Sequence, residues 1–225
     1  YLISNVKIFL SSYIHHEIID EDHNNELSEL CEKYGSDKGG RSEFNISKRK
    51  PHFYTSYYFQ KFHNYRDKIL LVFECGIGTN DEKYQSNMGK DGKIGASLKL
   101  WREFFFNAEI FGADIDKNIL FKSNRINTYY VDQKDKASII KMWKRIKLNN
   151  FDLIIDDGNH SYEAAVSLFF NSFDKLKSKG LYVIEDVHAA YLIKLARKLK
   201  NFNPTIISSN RKNNIDDYLF IITKD

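Results

Sequence analysis

The sequence predicts an α/β fold in which an open, mostly parallel sheet is closed by an antiparallel hairpin and preceded by a helical segment. Three observations carry this reading. Short runs of β-prone apolar residues recur at 69–73, 109–114, 126–131, 151–155 and 181–184, with stretches of helical spacing between them. Most of these runs stop abruptly at acidic residues, at the edge of such a sheet where ligands bind. The last two runs, 205–208 and 218–223, flank a polar turn, so they read as a hairpin whose final strand runs antiparallel to its neighbour.

With 225 residues, the chain has the length of one α/β domain with an appended segment. Its 42% hydrophobic and 28% charged residues are ordinary for a soluble globular protein. The net charge of +4 comes from interspersed lysines and acids without a dense basic stripe, which disfavours nucleic acid as a partner. Cys31 and Cys75 have neither metal-type spacing nor a disulfide framework, which points to the cytoplasm. The apolar stretch from Leu2 to Ile14 is interrupted by Asn5, Lys7 and Ser11-Ser12, so no membrane span is expected. The chain begins at Tyr1 and not at Met, which leaves room for upstream residues.

Residues 1–68 read as a helical segment with a loop able to cover a ligand, and 69–225 as the α/β domain. Up to Tyr34 the spacing is helical, with Ile8, Leu10, Ile14 and Ile18-Ile19 on one face and Leu27, Leu30 and Cys31 on another. The apolar face of Leu2–Ile19 suits a second copy of the chain, so a homo-oligomer is one expectation. The loop Tyr34-Gly-Ser-Asp-Lys-Gly-Gly40 is either a surface turn or a cover over a ligand. The aromatic cluster from His52 to Phe62 reads as a helix whose rings serve packing.

The first buried strand, 69–73, runs into Glu74-Cys-Gly76-Ile-Gly78, where the glycines let backbone approach a ligand that a β-carbon would repel. The polar segment Asn80–Ile94 is a loop of functional length, and Ala96–Phe106 is helical. The next strand ends in Asp114, which either accepts bonds from two ribose hydroxyls or caps the following turn. A third strand closes with Asp132-Gln133, and a helix follows over Ala137–Ile146. Helices are expected at Tyr162–Leu176, stopping at Gly180, and at His188–Leu199.

The strand at 151–155 ends in Asp156-Asp157-Gly-Asn-His160, and the strand at 181–184 ends in Glu185-Asp186. Each motif alone is an ordinary turn or helix cap. Side by side, they make an all-oxygen site for a divalent cation, with His160 in register as a base. Asp156 is assigned to the cofactor side of the strand.

Five βα units and a closing hairpin, with these acids at the strand ends, resemble the Rossmann-like class I S-adenosylmethionine-dependent methyltransferases from about Ile69 onward. The resemblance implies S-adenosylmethionine as cofactor, the turn at Glu74, Gly76 and Gly78 against its methionine part, Asp114 on the ribose and Asp132 beside the adenine. Here Asn80 stands where the family often has a third glycine, so the loop after Thr79 is expected to take another path. Asp157-Gly-Asn-His160 with Glu185-Asp186 is similar to the metal-dependent sugar O-methyltransferases of macrolide biosynthesis. That likeness implies Mg²⁺ held by Asp157, Glu185 and Asp186, His160 as general base and a sugar-type small molecule as acceptor. It also implies that the Tyr34–Gly40 loop helps cover the cofactor. The competing readings are an RNA methyltransferase and a non-catalytic cofactor-binding scaffold.

Overall fold

Residues buried on both faces build the central strands. In the computed structural model, which describes residues 14–40, 51–210, 215 and 217–225, Val72 faces one core and Phe73 the other. Ile110 and Phe111 divide in the same way, as do Leu153 and Ile154. The elements follow as β1 (His15–Ile19), α1 (Glu26–Tyr34), α2 (Tyr54–Phe62), β2 (Leu71–Cys75), α3 (Ala96–Phe104), β3 (Glu109–Asp114), β4 (Lys122–Ser123) and β5 (Ile126–Tyr130). After them come α4 (Lys136–Ile146), β6 (Phe151–Asp156), α5 (Tyr162–Ser172), β7 (Leu176–Ile184), α6 (Ala189–Lys198), β8 (Thr205–Ser209) and β9 (Leu219–Thr223).

The strands form one sheet in the order β1-β8-β9-β7-β6-β2-β3-β5-β4. Strands β5, β3, β2, β6 and β7 are parallel, and β9 is antiparallel to both β7 and β8, as the hairpin reading requires. Strand order reverses at β2, so the crevice for a ligand opens at the carboxyl ends of β2, β3 and β6. One core, with Trp143, Phe151 and Phe169, lies under α4, α5 and α6. The other, with Trp101, Phe104 and Val183, lies under α1, α2 and α3. Leu27, Phe53, Tyr58 and Phe62 belong to that second core, so the segment before Ile69 is packed into the sheet's own interior.

Two expectations are corrected. His15–Ile19 is a strand and not part of a helix: it pairs in parallel with β8, from His15 opposite Thr205 to Ile19 opposite Ser209. The spacing of Ile14, Ile18 and Ile19 suits a helix, but the open edge of β8 offers backbone partners that override it. The rest of the expected apolar face, residues 1–13, lies outside the described residues. Helix α5 ends at Ser172, and β7 already begins at Leu176 and passes through Gly180. Leu176 is buried opposite Phe151 of β6, and that pairing draws the segment into the sheet. Among the described residues no helix is long and apolar enough to cross a membrane.

Asp152, buried near the start of β6, fixes where β2 begins. Its Oδ2 accepts the backbone amides of Leu70 (2.8 Å) and Leu71 (2.9 Å), and its Oδ1 receives the Lys177 ammonium. Asp152→Ala strips two amides of their acceptor and should lower the unfolding free energy by about 2–3 kcal/mol. Urea denaturation checks this, and a loss within error of zero would contradict the assignment.

Candidate active site

Two backbone turns meet at the sheet's switch point. Gly76 has φ 91°, and a β-carbon there would lie 1.9 Å from the Asp157 carbonyl oxygen, so the turn after β2 and the turn after β6 touch. Asp157 N donates to Cys75 O at 2.8 Å, locking the two together. Gly78, at φ 83°, lies under Met88 of the 80–94 loop. In that loop Asn80 Nδ2 donates to Gly92 O at 3.1 Å and folds it back over the turn.

A cleft of about 1500 Å³ opens over these turns, and Gly76, Gly78, Asp114 and Asp132 line one part of it. Asp157, His160, Glu185 and Asp186 line another. Asp114 knits the first part together, since its Oδ2 accepts Ile77 N and its Oδ1 accepts Asp116 N, each at 2.9 Å. Burial raises its pKa above the usual aspartate value against the pull of these amides. Asp132 Oδ1 accepts Lys134 N at 3.0 Å in a turn at the rim.

In the second part, His160 Nε2 lies 3.3 Å from Asp157 Oδ1 and His160 Nδ1 lies 3.8 Å from Asp186 Oδ2. Ligand atoms of Asp157, His160 and Asp186 all fall within 4.8 Å of one another. His160 (φ 56°) and Asp186 (φ 52°) both occupy the left-handed region, at a cost of order 1–3 kcal/mol each that is tolerated mainly where side chains must be aimed. Burial would lower the His160 pKa, but the hydrogen bond to Asp157 and the charges of Asp186 and Asp157 raise it to about 9. These carboxylates thus favour the imidazolium form of the ring.

The sequence did not single out Lys38, whose side chain reaches the heart of the site. The Lys38 ammonium is 2% exposed and lies 2.6 Å from Asp157 Oδ2 and 3.0 Å from Glu74 Oε1, with Glu185 Oε2 in direct contact. Burial opposes its charge, yet Asp157, Glu185 and Glu74 together hold its pKa well above the usual lysine value. Burial likewise acts to raise the Asp157 pKa, but Lys38 and His160 hold it well below the usual range. Burial, with Asp157 and Glu74 nearby, pushes the Glu185 pKa up against the pull of Lys38.

Helix α2 adds two phenols one turn apart. Tyr58 Oη donates to Glu185 Oε1 and Tyr54 Oη to Asp186 Oδ1, both at 2.6 Å. His52 Nδ1 lies 2.7 Å from Asp217 Oδ1, and its Nε2 lies 3.7 Å from Asp186 Oδ1. On the other side, Gln133 Nε2 donates to Asp156 Oδ1, and its Oε1 accepts Asn159 N at 2.9 Å. The tyrosines were legible only as packing residues, and Lys38 and Gln133 only as neighbours of residues already singled out.

Three candidate cofactor contacts are engaged by other protein groups in this structure. Glu74 is 0% exposed and is taken up by Lys38 and by Ser97 Oγ at 2.7 Å, so it lies beneath the cleft. Asp156 is buried and held by Gln133, as a support for the loop that follows it. Tyr34 turns away from the cleft to donate to Glu103 of α3, because the left-handed Gly35 ends α1 before the chain reaches the site.

No family model matches the chain. It is 32% identical over 165 residues to the 8-demethyl-8-alpha-L-rhamnosyl tetracenomycin-C 2'-O-methyltransferase of Streptomyces olivaceus, covering 73% of this chain and 38% of that protein. It is also 32% identical over 166 residues to the demethylmacrocin O-methyltransferase of Streptomyces fradiae, covering 74% and 37%. Among solved structures, the MycE methyltransferase of mycinamycin biosynthesis, in complex with Mg and SAH, superposes with a TM-score of 0.65 at 26% identity. That match covers 89% of this chain and 55% of MycE. The chain belongs to the class I S-adenosylmethionine-dependent methyltransferases. This methyltransferase chain thus spans less than two fifths of the two curated relatives and about half of MycE.

The buried Glu185 Oε1 takes its hydrogen bond from the Tyr58 phenol. Tyr58→Phe should destabilise the methyltransferase chain by about 1–3 kcal/mol, the cost of an unpaired buried acceptor. Chemical denaturation measures it, and an unchanged midpoint would show that another donor takes the phenol's place.

Proposed function

We propose that the chain carries the active site of an S-adenosylmethionine- and Mg²⁺-dependent O-methyltransferase acting on a hydroxyl of a sugar or sugar-linked small molecule. The observation that carries this reading is the meeting, in one cleft, of Gly76, Gly78 and Asp114 with Asp157, His160 and Asp186. The sugar O-methyltransferase names of the relatives support the acceptor class. A sulfonium methyl is already activated, so the protein has to align an oxygen with it and remove a proton.

In this reading the bare backbone at Gly76 and Gly78 takes the methionine part of the cofactor. Asp114 accepts bonds from the ribose hydroxyls, and Asp132 lies beside the adenine. The donor types at the other end fit a hard dication, since Asp157, Glu185 and Asp186 offer the carboxylate oxygens that Mg²⁺ prefers. Bound there, the ion supplies Lewis acidity that lowers the pKa of the acceptor hydroxyl and orients it. Tyr54 aims Asp186, and Asp157 holds the His160 ring toward the cleft. His160 takes the hydroxyl proton, which needs the neutral ring; countering the charge of Asp157 and Asp186 favours that form.

Two measurements test this reading. Asp114→Ala should weaken S-adenosylhomocysteine binding by about 1–3 kcal/mol through the hydrogen bonds it loses. Unchanged affinity by calorimetry counts against the cofactor site. EDTA should stop methyl transfer while leaving S-adenosylhomocysteine binding intact, and His160→Ala should lower kcat by roughly 10²–10⁴-fold, the range for a lost general base. Full turnover in both experiments would defeat the assignment.

A further inference from the structure

The Lys38 ammonium stands where three carboxylates are gathered as if for a metal ion. Ligand oxygens of Glu74, Asp157 and Glu185 lie within 4.8 Å of one another, and the ammonium contacts all three. Glu185 has only one oxygen to offer a cation, because Oε1 is engaged by Tyr58 and Oε2 holds Lys38. Asp157 is divided in the same way, with Oδ2 on Lys38 and Oδ1 on His160. An ion that draws on both Glu185 and Asp157 therefore meets an ammonium already on the oxygens it needs.

We propose that Lys38 is a tethered internal cation that occupies the acid cluster of the metal-free protein and is displaced when a divalent ion binds. This inference rests on the reading of Asp157, Glu185 and Asp186 as metal ligands. Even with His160 beside Asp157, the Lys38 ammonium undercompensates three carboxylates, whereas a dication with oxygen ligands answers them better and repels the ammonium from shared oxygens. The backbone around Lys38 is pinned. Thr55 N donates to Lys38 O at 3.1 Å, His52 N donates to Asp37 O at 2.8 Å, and Gly39 is packed against the Thr55 side chain. The exchange is consequently a swing of the four-carbon arm into the cleft that Lys38 already lines, and not an opening of the loop. Lys38 thereby sets the metal affinity of the site, because only the fraction of molecules with the arm withdrawn accepts the ion.

The test uses the full chain and needs no turnover. Acetylation of Lys38 by an N-hydroxysuccinimide ester, followed by mass spectrometry, should be slow in metal-free protein. It should rise severalfold at saturating Mg²⁺, relative to exposed lysines such as Lys83. In parallel, calorimetric titration with Mg²⁺ should show at least about tenfold tighter binding by Lys38→Met than by the wild type, since the competing cation is gone. Lys38 protection that persists at saturating Mg²⁺ overturns the exchange, as does Mg²⁺ affinity in Lys38→Met equal to or weaker than wild type. If Lys38→Met does not fold, the acetylation experiment on wild-type protein decides alone. Absence of Mg²⁺ binding by the wild type defeats the metal reading itself, and this inference with it; binding with unchanged protection defeats the exchange only.

Discussion

Burying like charge is the constraint on which the rest of the site depends. Glu74, Asp157, Glu185 and Asp186 stand at the carboxyl ends of three adjacent parallel strands, and Glu74 and Glu185 are sealed from solvent. A cluster of this kind holds together only if each oxygen finds a donor and the net charge is countered. The strands cannot supply this, because their amides are committed to the sheet. The answer comes from the chain before Ile69: an ammonium from the loop after α1, two phenols from one face of α2, and an imidazole just ahead of it. The N-terminal segment is therefore the inner wall of the site.

That division of labour explains what could be read from the sequence. The parallel strands announce themselves because burial on both faces demands unbroken apolar runs, and their ends are marked because Asp114, Asp157 and Glu185-Asp186 interrupt those runs abruptly. The glycine turn is legible for a related reason, as Gly76 tolerates no β-carbon against the neighbouring turn. Lys38, Tyr54, Tyr58 and Gln133 are different. Their roles arise from contacts across the fold, between residues 38 and 185 or 133 and 156, and no local pattern separates a lysine beside an acid cluster from one in solvent. Glu74 shows the same limit, since it stands next to the glycines while its side chain is taken up by Lys38 and Ser97.

The relatives sharpen the boundary between core and periphery. The likeness to MycE covers only about half of that protein but most of this chain. Within it, the 80–94 loop is held mainly by its own turns, by Asn80 and by Met88 over Gly78. It borders the cleft without entering the charged cluster.

The pairing of β1 with β8 has a consequence for how the chain is made. His15 finds its partner, Thr205, only after the chain has been synthesised through β8. Strand β1 thus leaves the ribosome before the βα units that follow it and docks on β8 only after they have been made. Its sequence suits that interval: the strand opens on three polar residues, His15, His16 and Glu17, which leaves less apolar edge to offer a neighbouring nascent chain.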